Sequence, residues 1–171
     1  MQTYKVTVDD NKNTRWYNDK NQYHRLDGPA MEYANGYKAW YVENKRHRLD
    51  GPAIEQADGG KEWYVDGKRH RLDGPAYEGA NGYKAWYVEN KLHRQDGPAI
   101  EYADGSKSWW VEDKYHRLDG PAVEHADGFK SWWVEGKHLT EEEFNEYIKP
   151  KPSCENKVID IDGKKYKLVA I

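Results

Sequence analysis

Five histidines, His24, His47, His70, His93 and His116, recur every 23 residues, each followed by Arg-X-Asp-Gly-Pro-Ala. An imidazole beside a carboxylate suits metal ligation or acid–base work, and the arginine row Arg25, Arg48, Arg71, Arg94 and Arg117 suits anions. Spacing decides among these. If each unit adds two strands, equivalent residues stand about 10 Å apart, twice the ~4.8 Å strand spacing. Ligands of one zinc ion sit ~2.0 Å from it, so equivalent histidines cannot share an ion, and one unit alone offers only a His, an Asp and a Glu. A catalytic site needs one distinctive pocket with perturbed groups, whereas this sequence repeats the same groups along its length. No glycine-rich phosphate loop or nucleophile elbow is present. The expectation is therefore no catalytic residue, no metal and no cofactor. The His, Arg and Asp side chains form a structural ladder, with the Asp two residues after each Arg on the same strand face and offsetting its charge.

The elements that must position these groups come from the repeat itself. His47-Arg48-Leu49-Asp50-Gly51-Pro52-Ala53 is one of five copies. Each is followed by a Glu two residues on (Glu32, Glu55, Glu78, Glu101, Glu124), by an Ala-Asn/Asp-Gly turn, and by Lys, a spacer, Trp, Tyr or Trp, and Val. Two β-prone runs, Pro52 to Ala57 and Lys61 to Val65, flank the Asp58-Gly59 turn signal and predict a hairpin. A three-residue loop with the Gly left-handed sets Glu55 opposite Lys61 and Ala53 opposite Trp63; a two-residue loop would set Ile54 opposite Trp63. A second turn, Glu43-Asn44 or Asp66-Gly67, leads to the Asp-Gly-Pro corner. There the Asp caps, the Gly tolerates an unusual backbone and the Pro fixes φ. The Trp stripe Trp40, Trp63, Trp86, Trp109 and Trp132 repeats unchanged and reads as shared packing.

The resulting fold class is mostly β, an elongated antiparallel sheet of tandem hairpins. Residues 1–14 supply an N-terminal capping strand, 15–138 five full units and a partial sixth, 139–150 a short helix, and 151–171 a C-terminal hairpin cap. The first unit has one extra residue between Trp16 and His24. Thr140 reads as a helix N-cap before Glu141, Glu142 and Glu143, with Phe144, Tyr147 and Ile148 as the apolar face and an end before Pro150. Lys157 to Ile161 and Lys164 to Val169 flank Asp162-Gly163 as the closing hairpin.

Composition narrows the partners. Acidic and basic residues nearly balance, 30 against 27, so there is no strong positive field for nucleic acid. No run approaches the ~18 apolar residues that span a bilayer, and the N-terminus lacks a secretory pattern. The single Cys154, in a Pro-rich linker, has no disulfide partner and reads as inert. A reducing, cytoplasmic location is expected.

The segment Glu62-Trp63-Tyr64-Val65-Asp66-Gly67-Lys68-Arg69-His70, followed by Ala80-Asn81-Gly82, resembles MORN repeats, over roughly residues 15 to 138. The units are more similar still to WYV-(D/N)GK-x-HR-x-DGPA repeats of tailed-phage and bacterial proteins. Arg71, where the MORN pattern commonly has Gly, and the Asp-Gly-Pro-Ala insertion depart from that family and count against transferring lipid binding. The resemblance implies an elongated antiparallel sheet and, through the phage proteins, a modulator of a host or defence protein acting in the host cytoplasm.

Positions that vary along the array mark where a scaffold meets a partner. Tyr37, Tyr83 and Phe129 alternate with Gly60 and Ser106, and the second aromatic runs Tyr41, Tyr64, Tyr87, Trp110, Trp133. Residues 34–45 and 80–91 are identical, so copying of a two-unit block with alternating packing explains the pattern equally well. The binding reading assigns Tyr37, Tyr41, Tyr83, Tyr87, Trp110, Phe129 and Trp133 to a protein partner. The alternative is sequestration of a small anionic ligand, such as a nucleotide signal, by Arg and rings in a groove or in the interface of a homo-oligomer.

Overall fold

The Ala-Asn/Asp-Gly turns fold each unit back on itself. In the second unit Ile54–Glu55 pairs with Lys61–Glu62, with Glu55 opposite Lys61, the register of the three-residue loop. Gln56 N–H donates to the Gly60 carbonyl at 2.8 Å, and Gly59 closes the loop at φ +95°, a conformation that glycine adopts without a Cβ penalty. The computed structural model, which describes residues 3–150 and 158–167, strings these hairpins into one 13-stranded antiparallel sheet whose strand order follows the chain. It begins with Lys5–Val8 on Thr14–Tyr17 and ends with Lys130–Val134 on Lys137–Leu139. Register is kept between units as well as within them, so Lys61 lies between Glu55 and Glu78, and a row of alternating charge crosses the sheet.

Past its Trp, each second strand runs on into a smaller hairpin. Tyr64–Val65 pairs with Lys68–Arg69 around Asp66 (φ +50°) and Gly67 (φ +81°), the doubly left-handed turn that matches strand twist. Glu43-Asn44, Glu89-Asn90 and Glu112-Asp113 adopt the same geometry without glycine. Their second residues also bond to the preceding unit: Asn44, Asn90 and Asp113 side-chain oxygens accept the N–H groups of Tyr23, Arg69 and Leu92 at 2.8, 2.7 and 2.8 Å. The extra residue of the first unit is taken up in a longer loop that Asn18 N–H closes on the Gln22 carbonyl at 3.0 Å.

Among the described residues there is no thick interior. Ala30, Ala53, Ala76, Ala99 and Ala122 are fully buried along the sheet, and larger side chains lie on its two faces, mostly half-exposed. At the C-terminal edge Val134, Leu139 and Phe144 form a separate cluster with Trp132. The helix Glu141–Ile148 starts at Thr140 with a reciprocal capping box to Glu143. Of its expected apolar face only Phe144 is buried. Tyr147 and Ile148 are exposed, because this eight-residue helix meets the sheet edge through Phe144 alone. Val158–Ile161 and Lys164–Lys167 form the expected closing hairpin around Asp162 and Gly163, both at positive φ. Cys154 and the outer ends of that hairpin lie outside the described residues.

Candidate functional site

One sheet face is built from the repeated corners. Arg71 lies flat over the Trp63 ring, 4.0 Å from its centroid, and donates from Nε to Asp73 (2.9 Å) and from Nη1 to the Pro75 carbonyl (3.2 Å) and Glu78 (3.0 Å). Arg48, Arg94 and Arg117 repeat this set, and Arg25 repeats it over Trp16 with Asp27 and Pro29. The arginine bond holds Asp27, Asp50, Asp73, Asp96 and Asp119 below the usual aspartate range. The corner glycine has a different reason from the one its sequence suggests. Gly28, Gly51, Gly74, Gly97 and Gly120 do not adopt positive φ; a Cβ on Gly74 would lie 2.8 Å from the Arg71 guanidinium carbon. Glycine is there so that the guanidinium can fit against the backbone on one side and the indole on the other.

The histidines link units. Nδ1 of His24, His47, His70 and His116 accepts the N–H that opens the next unit's small turn, at 3.2 to 3.3 Å. In His47 and His70 the same nitrogen also lies 3.0 Å from the carboxylates of Asp66 and Glu89, so the imidazole is tied to the turn of the next unit. Among the described residues no group of three His, Cys, Asp or Glu could hold an ion. Between successive corners lie four grooves of about 700, 600, 850 and 580 Å³. Their rims carry Leu26, Leu49, Leu72 and Leu118, 51 to 81% exposed. The variable position of Arg-X-Asp was the only sequence sign of this leucine row.

The opposite face gathers the rings that vary. Tyr37 and Tyr41 pack on the cluster of Met31, Ala39, Ile54 and Tyr64. Tyr83 stands edge-on to both Tyr77 and Tyr102, at 5.6 and 5.5 Å. Trp110 and Trp133 donate from Nε1 to Ser108 and Ser131 at 2.8 and 2.7 Å, and Tyr115 lies between their rings. Tyr87 is half-buried beside Arg69, and Phe129 is 58% exposed, edge-on to His125. All seven rings assigned from sequence therefore lie along one face, six half-buried and Phe129 exposed.

The chain matches no protein-family model and no curated protein. Its chemistry has to be read from the two faces. Burial, with Tyr87, Tyr102 and Tyr77 nearby, pushes the Tyr83 hydroxyl up to about 12. Its folded pKa exceeds the unfolded value of about 10, so its contribution to stability is complete below pH ~10 and is lost as the pH rises towards ~12. Spectrophotometric titration should accordingly show a tyrosinate step delayed towards pH ~12, smaller by one tyrosine in the Tyr83→Phe variant, where the other raised tyrosines Tyr23, Tyr37, Tyr64 and Tyr115 remain.

Proposed function

We propose that this chain is a non-catalytic scaffold that binds a protein partner through its aromatic face. The carrying observation is that side chains on this face change along the array, Tyr37, Gly60, Tyr83, Ser106, Phe129, while the corners repeat. The rings are held by one another and by serine hydroxyls, so little side-chain entropy remains to be lost on docking. Half-exposed Tyr and Trp with polar tips are the residues in which interfaces concentrate their energy. The corner guanidinia are each engaged by an indole, a carboxylate and a carbonyl, which weakens the case for an anionic ligand there. By resemblance of its motif to the phage repeat proteins, the partner is a host or defence protein. No helix among the described residues is long and apolar enough to cross a membrane.

The test compares exposed side chains of the two faces. A partner captured from the source cells is identified, purified and titrated against Phe129→Ala and Leu72→Ser. Phe129→Ala should weaken binding by about 2 kcal/mol, some thirtyfold, with unchanged thermal unfolding, and Leu72→Ser should bind as the wild type does. The reverse pattern would move the site to the corner grooves and end this reading.

A further inference from the structure

Each hairpin's second strand offers two alternate positions to the aromatic face, and in four units one of the two is bulky. The pairs are Tyr37 with Ala39, Gly60 with Glu62, Tyr83 with Ala85, and Phe129 with Ser131. In the second unit, where the ring is absent, Glu62 and Gln56 bond to each other over Gly60. Only the fourth unit has small residues at both positions, Ser106 and Ser108, and there a pocket of about 330 Å³ opens between the walls Tyr102, Tyr115 and His125. A dry cavity of ~150 Å³ is already enough for benzene.

We propose that this pocket receives one phenol-type ring, the side chain of a tyrosine on the protein partner; the source of the ring rests on the protein-binding reading above. The missing group has the shape of Tyr37 and Tyr83, which occupy the equivalent position two units apart. An entering ring would meet Tyr102, already edge-on to Tyr83, on one side and His125, already edge-on to Phe129, on the other. The floor is chemically suited to a phenol oxygen. Ser108 Oγ accepts the Trp110 Nε1–H at 2.8 Å, which leaves the hydroxyl its own proton to donate, while Ser106 Oγ accepts the Ala126 N–H at 3.0 Å and gives its proton to the Asp104 carboxylate. Lys107 is the sole lysine or arginine among the lining residues and stands in the sheet between Glu101 and Glu124, so the site lacks the arginine clamp that a nucleotide phosphate would call for.

The experiment follows backbone amides by NMR while the intact protein is titrated with p-cresol and, separately, with adenosine monophosphate. p-Cresol should give saturable shifts at Ser106, Ser108, Tyr115 and His125 in the millimolar range, and adenosine monophosphate should not. Ser106→Tyr supplies the ring from within. It should unfold at or above the wild-type temperature, abolish the p-cresol shifts and lower partner affinity at least tenfold. Absence of saturable p-cresol shifts, stronger response to the nucleotide, shifts that survive Ser106→Tyr, or early unfolding of that variant would each overturn the pocket. If p-cresol binds but Ser106→Tyr keeps full partner affinity, the partner's tyrosine is ruled out while the face reading stands; that reading fails only on Phe129→Ala.

Discussion

Gly74→Ala should destabilise the protein by about 2–3 kcal/mol although it adds one carbon, because that carbon overpacks the corner. The new Cβ would sit 2.8 Å from Arg71 Cζ and 3.0 Å from Nε and Nη2. Pushing the guanidinium away weakens its stacking on Trp63, worth about 0.5–2 kcal/mol for such pairs, and its bonds to Asp73, the Pro75 carbonyl and Glu78. For a chain of this length the melting temperature should fall by roughly 4–12 °C, with a change in tryptophan fluorescence. A double-mutant cycle identifies the cause. Arg71→Ala removes the obstacle, so Gly74→Ala should add almost nothing in that background. Gly82→Ala is the contrasting control. Nothing lies within 4 Å of its Cβ position but its φ is +90°, so its cost should be the same with or without Arg71. Equal costs for Gly74→Ala in both backgrounds would refute the packing account.

That corner shows where sequence reasoning reached and where it stopped. The 23-residue period, the hairpins, the paired turns and the Thr140 cap all rest on local chemistry, and local chemistry is written in short motifs; the register was left between two turn lengths until the Glu55–Lys61 pairing chose the three-residue loop. The offset of each arginine by its aspartate was legible for the same reason. The role of Gly74 was not, since it depends on a guanidinium folded over an indole eight residues before it. The exposure of Leu49 and Leu72 was equally hidden, because the sheet is a single layer and none of the described residues covers that row. The pocket at Ser106 needed the knowledge that residues 106 and 108 share a face with 102, 115 and 125. Only then does the loss of bulk in one unit become a space. Tyr147 and Ile148 misled by periodicity, which shows a helix stripe but not how much sheet lies beneath it.

The largest effect is expected at the second unit, where Glu62 is buried to 6% exposure. Burial raises the pKa of this carboxyl, but Arg69 Nη2 at 2.8 Å, the Tyr64 hydroxyl at 2.8 Å and Gln56 together outweigh it and hold the group below the usual range. Glu62 thus contributes stability above the ordinary glutamate value of about 4.3, and that contribution is lost as pH falls through its lower folded value. Arg69→Leu removes the main partner and leaves a buried charge, at a cost of about 3–5 kcal/mol near neutral pH. The sign of the pH dependence should then invert. With desolvation dominant the folded pKa lies above the unfolded one, so the variant gains stability on acidification towards pH ~4 and loses it as pH rises through the folded value. The third unit supplies the rescue, since it carries Tyr83, Ala85 and Leu92 at the positions of Gly60, Glu62 and Arg69. The triple variant Gly60→Tyr, Glu62→Ala, Arg69→Leu should recover most of the lost stability, since it replaces a buried charged network with packing the array already uses. Denaturant unfolding of the single and triple variants at pH 4.5 and 7 measures both effects. If Arg69→Leu is as stable as the wild type at pH 7, or loses further stability on acidification, the buried carboxylate does not govern this unit.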